Sequence, residues 1–319
     1  MRNCQFCQTE LQANARFCYH CGAKAEQTLR TCVQCQHKNP FDAQFCINCG
    51  SSFGTIPVEQ VKRDPNYEAI YPLDFRDVKG LGATIRQYFV VALDKRIKEV
   101  HNPNQKEAYL NQLMQSDFQE IFKLRTDQLA EEAYTIHSRQ SPTMERETDA
   151  MLDRAFEGLL DFFLIKYCKD INETTIPEAG LKYEGAEYSQ TNLYQMVMDY
   201  LVLAEEDLVV YTDFLKMPLV KLQNAGRYYL FPAKDEKILL ICDQTVFGSC
   251  KEGFALTDAG IYWKAHFKPA EQVLYKDLHT IQRVDDHILI NSHFFNAGLS
   301  LNTKMIYLLK RLQRMFLNN

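Results

Sequence analysis

Eight cysteines crowd into the first 49 residues of the chain as four Cys-x-x-Cys pairs: Cys4 and Cys7, Cys18 and Cys21, Cys32 and Cys35, Cys46 and Cys49. Ten residues separate each pair from the next. A longer repeat of 28 residues overlies this one, because Ala15-Arg-Phe-Cys-Tyr-His-Cys-Gly22 returns as Ala43-Gln-Phe-Cys-Ile-Asn-Cys-Gly50. Units this short cannot enclose an apolar core, so something other than a core must hold them. In a reducing compartment, cysteines paired two residues apart read as metal ligands rather than as a disulfide framework.

Zinc takes four ligands in a tetrahedron. A Cys-x-x-Cys turn sets two thiolates on one side of the ion, and a second turn on a facing hairpin completes the shell. Gly22 and Gly50 follow the second knuckle of each long repeat, where backbone N–H groups turn back toward sulfur and a side chain crowds the turn. Phe17 and Phe45, each one residue before a knuckle, are placed to cover the metal. Residues 4–50 resemble the double zinc ribbon family, with every cysteine of that pattern present. The resemblance implies two zinc ions, one on Cys4, Cys7, Cys18 and Cys21 and one on Cys32, Cys35, Cys46 and Cys49. His20 and His37 lie near ligands, but with four thiolates per ion they are expected outside the coordination sphere. A shell closed by thiolates has no position for water or substrate, so these zincs are expected to be structural.

At 319 residues and 46% hydrophobic, the chain is long and apolar enough for further domains with cores of their own. From Ser51 to about Gly82 the pattern dissolves into Pro57, Pro65, Pro72 and scattered charge. The sequence thus predicts a zinc module at 1–54 and a linker at 55–79. Apolar residues then recur at helical spacing: Ile85, Tyr88 and Phe89; Leu110, Leu113 and Met114; Ile121 and Phe122; Leu152, Ala155, Phe156, Leu159 and Phe163. After a break at 177–185, Leu193, Met196, Val197, Tyr200, Leu201 and Ala204 continue the pattern, extended by Leu208, Tyr211 and Leu215 to Pro218. Residues 80–222 are accordingly read as an antiparallel helical bundle.

Past Gly226 the period changes from 3.6 to 2. Strands are expected at 227–231, 238–242, 253–256, 260–264, 272–275, 278–284, 287–291 and 297–301, followed by a helix capped near Asn302 or Thr303. The segment from Asp243 to Lys264, with this element order, resembles pleckstrin-homology-like domains of uncharacterised bacterial proteins. The resemblance implies that 226–319 form an antiparallel β-barrel closed by the last helix, and it brings no activity with it. The expected fold class is therefore multidomain α+β: tandem zinc ribbons, a helical bundle and a pleckstrin-homology-like barrel.

No nucleophile elbow, His-Glu-x-x-His motif or P-loop occurs, and Lys79-Gly-Leu-Gly82 reads as a turn into a helix. Cys168, Cys242 and Cys250 read as inert core thiols. His266, His279, His287 and His293 lack a partner at suggestive spacing, and Glu205-Glu206-Asp207 and Asp285-Asp286 read as solvated surface. No catalytic residue and no cofactor besides zinc is expected, and the chain is read as not an enzyme. Residues 1–54 carry 5 Lys+Arg against 3 Asp+Glu, residues 55–225 carry 19 against 29, and residues 226–319 carry 12 against 9. An acidic middle between mildly basic ends is unlike the concentrated basic face of a protein that coats nucleic acid.

The leading expectation is a cytoplasmic, zinc-binding interaction or adaptor protein that docks protein partners. The alternative is nucleic-acid binding by the ribbons, through Arg2, Arg16, Lys24, Arg30 and Lys38 beside Phe6, Phe17, Tyr19 and Phe45. An enzyme of unrecognised type comes third. The start of the chain has no apolar stretch behind its positive charge, and no run approaches the ~18–20 apolar residues of a membrane span, so no membrane insertion is expected. Lys310, Arg311 and Arg314 form a basic face on the last helix. The first hairpin, read at 231–237, is nearly charge-balanced, which speaks against lipid headgroup binding.

Overall fold

The computed structural model describes residues 2–3, 10–11, 29–32, 35–40, 48–49 and 67–317. The chain divides into two compact units, Met1–Tyr67 and Glu68–Asn319. The first contains two short antiparallel hairpins, β1 (Arg2–Asn3) with β2 (Glu10–Leu11) and β3 (Leu29–Thr31) with β4 (Lys38–Pro40). The sequence segments 80–222 and 226–319 both fall within the second unit.

In that unit the helical spacing becomes α1 (Leu81–Val100), α2 (Lys106–Gln115), α3 (Phe118–Ser138) and α4 (Met144–Lys166). Ile85, Phe89, Leu93 and Ile97 of α1 recur every four residues and so share one face. That face meets Phe118, Phe122 and Leu129 of α3 and Leu152, Phe156, Leu160 and Phe163 of α4 in a single core. Lys79-Gly-Leu-Gly82 is the turn into α1.

Two sequence expectations fail in the next stretch. Helix α5 (Leu193–Leu201) stops at Val202, which has φ 43° in the left-handed region, and Leu208, Tyr211 and Leu215 do not extend it. Residues Val209–Tyr211 instead form strand β5, and no strand forms at 227–231: α6 (Leu219–Tyr228) takes the first two of those residues and Tyr229 caps it. A short aromatic run such as Tyr-Tyr-Leu-Phe does not reveal its period. Its context decides: Ala225, Tyr229 and Leu230 cover Ile241, Ala255 and Tyr262.

Strands β6 (Ile238–Asp243), β7 (Gly253–Thr257), β8 (Gly260–Lys264) and β9 (Ala270–Leu274) form a meander, with β5 added beside β6. Strands β10 (Ile281–Val284), β11 (His287–Ile290) and β12 (His293–Phe295) form a second antiparallel sheet. The two sheets share no ladder among the described residues, so the closed barrel implied by the sequence is not formed. Helix α7 (Leu299–Leu317) starts earlier than expected and takes in residues 299–301 of the stretch read as a strand at 297–301. Asn302 lies inside it, accepting the Ala297 amide at 2.8 Å.

Alternation along β6 to β8 buries both faces of the five-stranded sheet. Leu240, Cys242, Phe254, Leu256, Ile261 and Trp263 face a core that includes α5, α7 and the smaller sheet, while Ile241, Ala255 and Tyr262 face α6. Cys168, Cys242 and Cys250 are all buried, and burial pushes each thiol up to about 12. At pH 7 they remain thiols, as expected of core cysteines.

The basic face of α7 is consumed internally. Lys310 donates to Glu99 at 3.0 Å, and Arg314 donates to Glu157 at 2.6 Å and to Asp161 at 2.9 Å. Arg96 of α1 joins them, bonding Asp161 at 2.7 Å and also Glu157. Arg311 donates to the Ala186 carbonyl at 2.8 Å. The excess acid of the middle segment thus meets the excess base of the last helix within one unit. Glu206, read as surface, is part of the same pattern: it accepts from Lys304 at 2.8 Å and from Ser300 at 2.7 Å.

Beside this layer lies His101, which the sequence did not single out. It is buried, with Nε2 2.9 Å from the Tyr307 hydroxyl and Nδ1 3.2 Å from that of Tyr109. Tyr109 donates its proton to Asn172 at 3.0 Å, so it accepts from Nδ1 and leaves Nε2 to accept from Tyr307. Burial first, then the charges of Arg96 and Arg283, lower its pKa to about 3. Folding therefore favours the neutral ring. The contribution is complete above the unfolded value near 6.5 and is lost as pH falls from there toward 3. Below pH 6.5, wild-type stability is expected to decline by an extra ~1.4 kcal/mol per pH unit relative to His101→Gln. Urea midpoints measured from pH 7.5 to 5.5 check this, and parallel slopes for the two proteins would refute it.

Candidate metal centre

Hairpin β3–β4 brackets the Cys32–Cys35 knuckle. Its register pairs Thr31 with Lys38 and Leu29 with Pro40, so the chain leaves the ladder at Cys32 and rejoins it six residues later. The turn closes on itself: the Cys32 amide donates to the His37 carbonyl at 2.9 Å, and the Gln36 amide to the Cys32 carbonyl at 2.8 Å. Gln36 has φ 56°, in the left-handed region that residues other than glycine seldom adopt. The geometry that the sequence assigned to Gly22 and Gly50 is therefore taken here by a glutamine.

Cys35 comes from the far side of the same turn, and Cys49 from the turn at 48–49. The ligand atoms of Cys32, Cys35 and Cys49 all lie within 4.8 Å of one another, and the sulfurs of Cys32 and Cys49 are 3.7 Å apart. A disulfide brings sulfurs to about 2.05 Å. Two thiolates on one tetrahedral zinc, each at ~2.3 Å from the ion, stand about 3.8 Å apart. The observed separation has the metal-ligand value, and the donor set suits zinc: soft thiolates from two separate turns. His37 is exposed and outside the three-thiol group.

Of the eight cysteines singled out in the sequence, the structure brings these three together. Cys4, Cys7, Cys18, Cys21 and Cys46 lie outside the described residues, as does His20. The first repeat nevertheless shows its strands. Hairpin β1–β2 pairs Arg2 with Leu11 and Asn3 with Glu10, the positions 28 residues before Arg30 with Asn39 and Thr31 with Lys38. The sequence repeat is thus also a repeat of backbone pairing.

The histidines of the strand-rich region do find carboxylates. His266 pairs with Glu252 at 2.8 Å, His293 with Glu271 at 3.0 Å and His287 with Asp286 at 3.4 Å. These partners come from other strands and loops or from the adjoining residue, so spacing alone did not reveal them. Each of these three has its own carboxylate, whereas His279 takes part through its backbone alone, its amide donating to Asn291 at 2.7 Å and its carbonyl accepting from Gln313 at 2.9 Å. Among the described residues the three cysteines are the one group with metal-ligand geometry. No described helix is long and apolar enough to cross a membrane.

No curated protein and no solved structure matches the chain. Residues 4–50 match the family model described as double zinc ribbon, which identifies the three-thiol cluster as part of a zinc-binding ribbon.

Proposed function

We propose that this protein is a non-catalytic, zinc-binding adaptor that docks protein partners through its ribbons and its β region. In this reading Cys46 is the fourth ligand beside Cys32, Cys35 and Cys49, and Cys4, Cys7, Cys18 and Cys21 hold a second ion. The observation that carries it is the three-thiol cluster at tetrahedral spacing, with a further cysteine in the same Cys-x-x-Cys pair as Cys49. Four thiolates fill the shell, and a filled shell supplies rigidity rather than Lewis-acid chemistry. Such a module presents loops around a fixed point, which suits recognition.

The β region supports the same reading. A four-strand meander, a three-strand meander and a terminal helix follow in the order of a pleckstrin-homology-like domain, a fold that serves binding in many contexts. A cytoplasmic setting fits thiolate ligands, which need reducing conditions.

The test is a pull-down with intact protein and with Cys18→Ser/Cys46→Ser, with and without nuclease, read by mass spectrometry. Partners that survive nuclease and disappear with the serine changes are the expected result. Partners lost to nuclease would move the assignment to nucleic-acid binding. Turnover of a nucleotide or peptide that is abolished by a substitution outside the cysteines would replace it with an enzyme.

A further inference from the structure

Between α3 and α4 the helical core does not close over itself. Phe118 lies beside Phe163 with ring centroids 4.8 Å apart, so the start of α3 runs against the end of α4. Beside that contact, Ile121 and Leu129 of α3 and Ala155, Leu159 and Phe162 of α4 line an open cleft of about 440 Å³. Leu181, from the short helical turn at Glu178–Tyr183, supplies a third wall. Leu181 packs on the core that contains the sheets, whereas the other five belong to the helical core, so the cleft lies on the seam between the two. Its volume, its apolar lining and its place on a seam are those of small-molecule sites.

The third wall is brought close by a glycine. Gly158 lies inside α4, where glycine weakens a helix relative to alanine. A Cβ at that position would meet the Glu184 side chain at 3.1 Å, closer than an ordinary contact, so glycine lets the end of the 178–184 stretch approach α4. Glu184 also lines the cleft, but its charge is already met from α7: Arg314 donates to it at 3.4 Å and Arg311 stands 3.8 Å away.

The rim sets the chemistry. Arg125 is exposed on α3, one turn after Ile121 and about two turns before Glu132, which lines the opposite end of the cleft. Among the described residues Arg125 has no carboxylate at ion-pair distance, and its guanidinium bonds to Gln128 at 3.2 Å. Arg154 of α4 lines the same rim. From Arg125 toward Ile121, Leu159, Phe162 and Leu181 the lining is apolar apart from the paired Glu184. A chain laid along those side chains brings its head to Arg125. A neutral ligand leaves that guanidinium unused and an amine is repelled by it, whereas a carboxylate forms a charge-assisted, bidentate pair with it.

We propose that the α3–α4 cleft binds a small amphiphilic carboxylate, its apolar chain along Ile121, Leu159, Phe162 and Leu181 and its carboxylate on Arg125. The site goes beyond the adaptor role and involves neither the ribbons nor the β strands.

The test is titration calorimetry of the full-length, zinc-loaded protein with decanoate below its micelle concentration, beside decylamine. Decanoate should bind once per chain, about fivefold or more tighter than the amine. Arg125→Gln should weaken decanoate about fivefold or more while leaving decylamine no weaker, and Arg125→Lys should restore most of the loss. The urea midpoint of Arg125→Gln, followed through Trp263, the chain's single tryptophan, should not move. Ala155→Phe, which fills the cleft, should abolish binding of both ligands. Equal decanoate affinity in wild type and Arg125→Gln would overturn the proposal. So would absence of decanoate binding together with a dimer that Ala155→Phe dissociates, which would assign the cleft to a second copy of the chain.

Discussion

Replacing Arg96 by alanine is expected to destabilise residues 68–319 by about 3–5 kcal/mol. Its guanidinium is 2 % exposed and is bonded to Asp161 and Glu157, both also held by Arg314. Burial alone pushes the Glu157 carboxyl up, but Arg96, Arg314 and Lys310 overcome it and hold it at about 2. Without Arg96, two carboxylates in the interior share Arg314 and Lys310, and the desolvation of the first pair is no longer offset. The loss should appear as a lower urea midpoint, followed through Trp263. Arg76→Ala is the control: it removes an exposed pair with Asp74 and should leave the urea midpoint unchanged. A loss below 1 kcal/mol for Arg96→Ala would mean that the layer fixes orientation without adding stability. The pH dependence has a definite sign. Glu157 contributes fully above its unfolded value near 4.5, and the contribution is lost as pH falls toward 2.

Metal removal should have the larger effect, confined to the first unit. On the proposed ligand sets, intact protein carries two zinc ions per chain and Cys46→Ser carries one. Four thiolates supply on the order of 10 kcal/mol of folding free energy to a module with almost no core, so chelation at pH 7 should unfold it outright. Trypsin should then cut rapidly after Arg30 and Lys38, which lie on the β3–β4 hairpin. The Trp263 transition of the second unit should persist. Elemental analysis and timed proteolysis check both statements. Unchanged zinc content in Cys46→Ser would remove that residue from the ligand set.

How far the sequence reached depended on the range of the interaction that decides each feature. Knuckles and strands such as β6 to β8 are set by neighbours two or three residues apart, and their spacing was legible. The stretch 202–231 was not. Val202 ends α5 in a conformation that a β-branched residue rarely adopts, and nothing local announces it. Tyr228, Tyr229 and Leu230 resemble a strand, yet they close a helix because the outer face of β6 to β8 needs a cover. His101 and Lys310 were equally opaque, since their partners lie 206 and 211 residues away. At the metal centre the ligand residue types were plain from spacing, whereas the left-handed Gln36 and the Cys32 to Cys49 separation needed coordinates.

The placement of α7 also sets the order of events at the ribosome. Helices α1 and α4 leave it with a row of acids and an apolar flank whose partners, Met305 to Arg314, are made about 140 residues after α4 ends. At 5–20 residues per second that is roughly 7–30 s during which the second unit lacks its closing helix. Contacts this distant in sequence form late and slowly. The nascent helices are thus the stage at which a chaperone would be engaged, and a stop codon anywhere in α7 should yield an aggregating product rather than a shortened domain.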